Sequence, residues 1–196
     1  RDGLARFEGY YANPEAEAER TRAGWYWTGD LGYRDEDGIF YFAGRNADWL
    51  RVDGENFAAA PVERILSRFP GVVAVAVFPV PDPSTGDQVM AAVEMSRDRD
   101  LDLTELADFL GAQPDLGTKW APRFVRLVEQ LPTTASGKTD KQPLRSHPWS
   151  TSDPLWWRRE PRGLVYERFN DDERAALHQA FVEHGRDTLD GIESSC

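Results

Sequence analysis

At 196 residues, with 40% hydrophobic and 29% charged side chains, the chain is long enough to bury a core and too apolar for intrinsic disorder. A formal charge of -11, from 34 acids against 23 bases with no run of Lys or Arg, argues against nucleic acid and anionic membrane as partners. The longest apolar run, 72–80 (VVAVAVFPV), is far short of the roughly 20 residues of a spanning helix, which leaves only peripheral membrane contact open, and the single cysteine, Cys196, rules out an internal disulfide and makes the cytoplasm the default compartment.

In chain order, Arg1-Asp2-Gly3 opens without an initiator methionine and reads as the interior of a longer protein. Pro14 and the acidic, Ala-rich run after it predict a short helix near 15–19. Trp25-Tyr26-Trp27-Thr28 and Ile39-Phe40-Tyr41-Phe42 predict the two strands of a hairpin, with Asp35-Glu36-Asp37-Gly38 supplying turn residues between them. Leu50-Arg51-Val52, followed by Asp53-Gly54-Glu55-Asn56, repeats strand and turn on a smaller scale. Val62, Ile65, Leu66 and Phe69 recur at helical spacing after Pro61, and Pro70-Gly71 closes the pattern. Strands are expected at 72–78 and 89–95 around the turn-rich 81–87, then a helix at 104–110 with an acidic start and a strand at 124–128. This β/α/β/β/α/β order predicts a small α+β domain. After Arg145 the composition of 146–154 (SHPWSTSDP) reads as a linker, followed by a tail with a helix over 172–185 that presents Ala176, Leu177, Ala180, Phe181 and His184 on one side. Trp149, Trp156 and Trp157 fit a clamp of that tail onto the domain better than a ligand groove.

Four short motifs carry chemistry. Tyr26-Trp27-Thr28-Gly29-Asp30 ends in a carboxylate able to accept from a diol, and Gly44-Arg45 places a fork of N–H donors suited to phosphate or ribose oxygens. Gly54-Glu55-Asn56 sets a glycine in a turn, where a missing side chain permits close approach of another molecule to the backbone. Pro132-Thr133-Thr134-Ala135-Ser136-Gly137-Lys138 puts an ammonium on a loop. Taken singly, each has an ordinary reading: a turn aspartate, a surface arginine, a turn glycine and a solvated lysine. Gly137-Lys138-Thr139 imitates the end of a P-loop, but its start is missing and Pro132 occupies the place of the first glycine. The three histidines lack metal-ligand spacing, so no metal site is expected.

In this order and spacing the four motifs resemble those of the adenylate-forming (ANL) superfamily, and in particular the C-terminal portion of its AMP-forming acyl-CoA synthetases. The resemblance covers about residues 5–146. It implies that 1–45 close a large adenylating domain, that 46–146 form a small mobile α+β lid, and that 147–196 are linker and helical tail. It also implies roles: Lys138 as the catalytic lysine, Asp30 and Arg45 as contacts to ATP, and Gly54, Glu55, Asn56 and Arg51 as the coenzyme A site. Ala47, with Asp48 beside it, stands where the family has its hinge; a small residue there departs from the commoner aspartate or lysine. The run Gly-Glu-Asn is closer to the fatty-acid-transport and very-long-chain acyl-CoA synthetase branch, which points to long-chain, very-long-chain or sterol-side-chain acids. ATP, Mg2+ and coenzyme A are the implied cofactors and co-substrates, with the phosphate loop, acyl pocket and magnesium ligand in the missing N-terminal domain, so this chain alone is expected to be inactive. Two rivals are a carrier-protein-loading adenylation enzyme and a non-catalytic nucleotide- or lipid-binding module that kept the fold.

Overall fold

The computed structural model describes residues 18, 21, 22, 25–45, 48–161 and 163–189. The helix expected at 15–19, the Ala47 hinge position and Cys196 lie outside them, apart from Ala18, which is helical. Two compact units divide between Ala47 and Asp48.

Among the described residues the first unit holds two small antiparallel ribbons. Strand β1 (Thr21–Arg22) pairs with β2 (Trp25–Tyr26), and β3 (Asp30–Arg34) pairs with β4 (Phe40–Arg45). The expected hairpin between 25–28 and 39–42 is therefore corrected: the partner of β4 is 30–34. The reason is the turn. Asp35 accepts from the Ile39 N–H at 2.8 Å and Gly38 takes φ +85°, so the chain reverses immediately after Arg34 and pairs the residues that abut the turn. The Tyr33 and Tyr41 rings stack at 5.0 Å across the ribbon.

The second unit is a three-layer α+β domain. Its sheet runs β11–β10–β9–β8–β7, built from β7 (Val72–Pro81), β8 (Asp87–Met95), β9 (Phe124–Val128), β10 (Leu155–Trp157) and β11 (Glu167–Arg168). All pairs are antiparallel except β8 with β9, which are joined by a crossover through α2 (Leu103–Gly111). Asp102 starts that helix by accepting from the Thr104 and Glu105 N–H groups. Alternation along β7 and β8 splits the core. Val77, Val89, Ala91 and Val93 meet α1 (Ala59–Leu66), α2 and a hairpin of β5 (Trp49–Val52) with β6 (Glu55–Ala58). Ala76, Phe78, Met90 and Ala92 face the opposite layer, with Leu144 of α3 (Gln142–Ser146) and Phe181 of α4 (Asp171–Glu183).

Residues after Arg145 are a finding against the linker reading. Trp149 is fully buried, edge-on to Phe124 at 5.8 Å and beside Phe181, and β10 joins the sheet at Trp156 opposite Val125. Burying each such aromatic contributes on the order of 2 kcal/mol. Asn170 caps α4 in a reciprocal box with Glu173, and the helix ends at His184, whose Nδ1 lies 2.8 Å from the Ala180 carbonyl, and Gly185 at φ +65°. Arg158, 6% exposed, donates to four backbone carbonyls, those of Ala121, Pro122, Pro161 and Gly163, and thereby ties this region to the 121–122 segment.

Candidate functional site

The candidate residues lie on three turns. In the first unit, Asp30 and Arg45 are cross-strand partners at the open end of the β3–β4 ribbon. Asp30 is exposed, and its N–H donates to Thr28 Oγ1 at 3.0 Å, which fixes the backbone of the Thr-Gly-Asp turn. A register shift at Leu31/Gly32 lets the ribbon bend there; a Cβ on Gly32 would stand 2.9 Å from the Tyr41 carbonyl oxygen, so only glycine fits that close approach.

The second turn is the β5–β6 hairpin. Asp53 at φ +47° and Gly54 at φ +82° form a two-residue turn with both central residues left-handed, so Glu55 and Asn56 return as strand and not as turn residues. Leu50 pairs with Phe57 on the buried face; Arg51 pairs with Asn56 on the exposed one. All four residues assigned to coenzyme A thus sit on one hairpin, three of them side by side. The space where a Gly54 Cβ would point is open. Three contacts brace this hairpin: the Arg51 N–H donates to Asp87 at 2.9 Å, Phe57 stacks on Trp120 at 5.0 Å, and Lys119 Nζ donates to the Asp53 carbonyl at 2.9 Å while lying 3.5 Å from Glu55. Lys119 went unnoticed in the sequence, since it stands 66 residues from the turn it clamps and belongs to none of the four motifs.

The third turn carries Lys138. The Asp140 N–H donates to the Pro132 carbonyl at 2.8 Å, Thr133 bridges Thr139, and the Thr134 N–H donates to the Lys138 carbonyl at 2.7 Å. Gly137 at φ +77° lets the chain reverse at the tip, and Thr134 Oγ1 accepts the Lys138 N–H at 3.2 Å. This is a stapled ribbon and not the phosphate cradle of a P-loop. Lys138 is exposed, and among the described residues its ammonium makes no hydrogen bond or ion pair. A cation so presented can neutralise charge on a bound molecule without first breaking an internal contact.

Asp48 opens the hairpin, and it is engaged: Arg145 Nη2 donates to its Oδ1 at 2.5 Å and Lys141 Nζ at 3.3 Å. Among the described residues no group of three or more His, Cys, Asp or Glu could hold a metal ion, and no helix is long and apolar enough to cross a membrane.

Residues 61–138 match the family described as the AMP-binding enzyme C-terminal domain. Over 94% of the chain there is 57% identity to a steroid-22-oyl-CoA synthetase of Rhodococcus jostii, and over 79% there is 49% identity to the medium/long-chain-fatty-acid–CoA ligase FadD17 of Mycobacterium tuberculosis. The chain spans about a third of the length of these curated relatives, 33% and 31%. Among solved structures, ATP-bound MatB of Rhodopseudomonas palustris shares 32% identity at a TM-score of 0.58, over 70% of this chain and 27% of that one. The O-succinylbenzoate coenzyme A synthetase MenE of Bacillus subtilis, in complex with AMP, shares 27% identity at a TM-score of 0.57, over 74% of this chain and 28% of that one.

Proposed function

Residues 61–138 belong to the AMP-binding enzyme C-terminal domain family, and on that premise we propose that the chain is the C-terminal part of an AMP-forming acyl-CoA synthetase for lipid-like acids, fatty or steroid. The observation that carries the reading is Lys138, an unpaired ammonium on a stapled, exposed loop inside this domain. In the first half-reaction a carboxylate oxygen of the acid bonds to the α-phosphorus of ATP and pyrophosphate leaves. Negative charge gathers around that phosphorus, and Lys138 stabilises it electrostatically without itself forming a covalent bond. In the second, the sulfur of coenzyme A bonds to the acyl carbon, its proton passes to solvent, and AMP departs with the electrons of the broken carbon–oxygen bond.

Asp30 is assigned to the ribose hydroxyls and Arg45 to ribose and phosphate oxygens of ATP. The open side of Gly54, flanked by Arg51, Glu55 and Asn56, is assigned to the arm of coenzyme A. Residues 1–45 would close the larger domain, and 46–146, with β10, β11 and α4 packed on it, would form a lid that turns about the segment near Ala47 to present Lys138 and then Gly54. The aromatic surface of the first unit, with Trp25 and Phe40 more than three-quarters exposed, suits cover by that larger domain. Mg2+ belongs to the proposal as an aid to ATP binding, with its ligands in the region of the relatives that this chain does not span. On this reading the chain by itself does not turn over.

The test is pyrophosphate release by the longer protein with ATP, Mg2+ and a panel of fatty and steroid acids, comparing wild type with Lys138→Ala. Acid-dependent release that collapses in the variant is expected. Absence of release with every acid would overturn the synthetase reading in favour of a binding module.

A further inference from the structure

An ionic cluster around Asp48 is left unused by the chemistry above. Asp48 Oδ1 accepts from Lys141 at 3.3 Å and Arg145 at 2.5 Å, and Lys141 Nζ also lies 2.8 Å from Glu63 Oε1, which accepts the Val77 N–H at 2.8 Å. Two carboxylates face two cations, so the cluster is neutral. It is also partly withdrawn from water, with the Lys141 side chain 14% and that of Arg145 22% exposed, so salt screens it less than a surface pair. Without Asp48, Arg145 would lose its carboxylate while its Nε is already buried with no acceptor.

The partners come from two working segments. Asp48 leads into the Gly54 hairpin, and Glu63 lies on α1, into which β6 runs directly. Lys141 and Arg145 lie on the stretch that leaves the Lys138 loop, whose base is closed by the Asp140 N–H on the Pro132 carbonyl. The incoming side of that loop has a separate tether, the Leu131 N–H donating to Glu94 at 2.9 Å. Asp48 meets Lys141 and Arg145 although they stand 93 and 97 positions away in the chain.

We infer that Asp48, Glu63, Lys141 and Arg145 form a charged strut that fixes the outgoing stem of the Lys138 loop against the Gly54 hairpin, so that the two turns are carried as one body. Asp48 and Lys141 are then positioning residues, and Asp48 acts as a fastening point beside the 46–47 segment and not as the bending point. What the two turns do rests on the proposed function; the strut is a property of this chain alone.

The experiment is residue-resolved amide hydrogen exchange on the 196-residue chain. Asp48→Asn is expected to speed exchange at Lys138 and Asp140 by roughly tenfold or more, while Ala91 and Val93 of the central strand keep their protection and Asp48→Glu restores the loop. Unchanged exchange at Lys138 and Asp140 would overturn the strut. Should Asp48→Asn loosen the whole domain, Lys141→Met decides: selective loss at the loop supports the inference, and uniform loss overturns it. In the longer protein, Asp48→Asn should lower kcat for acyl-AMP formation with KM for ATP unchanged, and an unchanged kcat would overturn the positioning role. Failure of the wild-type longer protein to form acyl-AMP would sink the proposed function and leave the exchange result to judge the strut.

Discussion

The Gly54 hairpin and the Lys138 loop both reverse on a glycine at positive φ, +82° and +77°, with open space where a Cβ would go, yet they are held in different ways. The hairpin is braced from outside itself: Leu50, Val52 and Phe57 are buried, Trp120 stacks on Phe57, and Lys119 and Asp87 bond its backbone. Residues 133–139 are all exposed, and the bonds that shape them run within the loop, between Thr134 and Lys138 and between Pro132 and Asp140. A turn that offers bare backbone to a passing ligand has to be stiff, because its precision resides in the main chain itself. A loop that delivers charge on a long side chain needs only a firm base, which the Asp48 strut supplies.

The contrast breaks most readily at Phe57. Phe57→Ala should cost about 3–5 kcal/mol of unfolding free energy by denaturant titration, since it empties a packed site under the hairpin; a loss below about 1 kcal/mol would mean the bracing is ornamental. Lys138→Ala should do the reverse. It should leave stability within about 0.5 kcal/mol and slow acyl-AMP formation in the longer protein by about 100 to 1,000-fold, so parallel losses in both readings would erase the distinction between a braced turn and a delivering loop. Gly54→Ala and Gly137→Ala should each cost about 1–2 kcal/mol, from the left-handed backbone alone. They sharpen the comparison by rate: the first should slow thioester formation more than pyrophosphate release, the second the opposite. Lys119→Met should cost only about 0.5–1 kcal/mol, because the side chain is a third exposed, and should raise amide exchange near Gly54 without touching Lys138.

The smallest expected effect is on acid stability in the 81–87 turn that precedes the Asp87 brace. Burial pushes the Asp82 carboxyl up, but hydrogen bonds from the Ser84 hydroxyl and N–H, the Gln88 amide and the Thr85 N–H outweigh it and hold Asp82 below the usual aspartate range. A folded-state value below the unfolded one means stability that is present above about pH 4 and lost as pH falls through the folded value. Ser84→Ala should shrink that acid-sensitive part, seen as a flatter fall of Tm between about pH 4 and pH 2.

Several elements were legible because their signals are local. Helical spacing of Val62, Ile65 and Leu66 found α1, apolar runs on either side of the turn-rich 81–87 found β7 and β8, and the turn glycines 54 and 137 stood within motifs whose order pointed to the family. The 25–28 strand was paired with the wrong partner because its aromatic content signals a strand without saying which neighbour it joins. The stretch 146–154 looked like a linker because Ser, Pro and Asp do make turns there, while burial of Trp149 depends on Phe124 and Phe181, far away in the chain. Strand β10 has three residues, too few for any period to show.

By itself, then, the sequence determined the identity and spacing of the chemical groups, the places where only glycine suits the backbone, and the helices and strands with a periodic apolar face, all of which follow from φ/ψ sterics and nearest neighbours. Tertiary structure decided the rest: the five-strand order that absorbs β10 and β11, the Lys119 clamp on the Asp53 carbonyl, the four carbonyls around Arg158, and the strut that joins Asp48 to Lys141 and Arg145. Hydrogen bonds and ion pairs act over a few ångströms of space and are indifferent to the number of residues between their partners, so only the folded chain determines which groups meet.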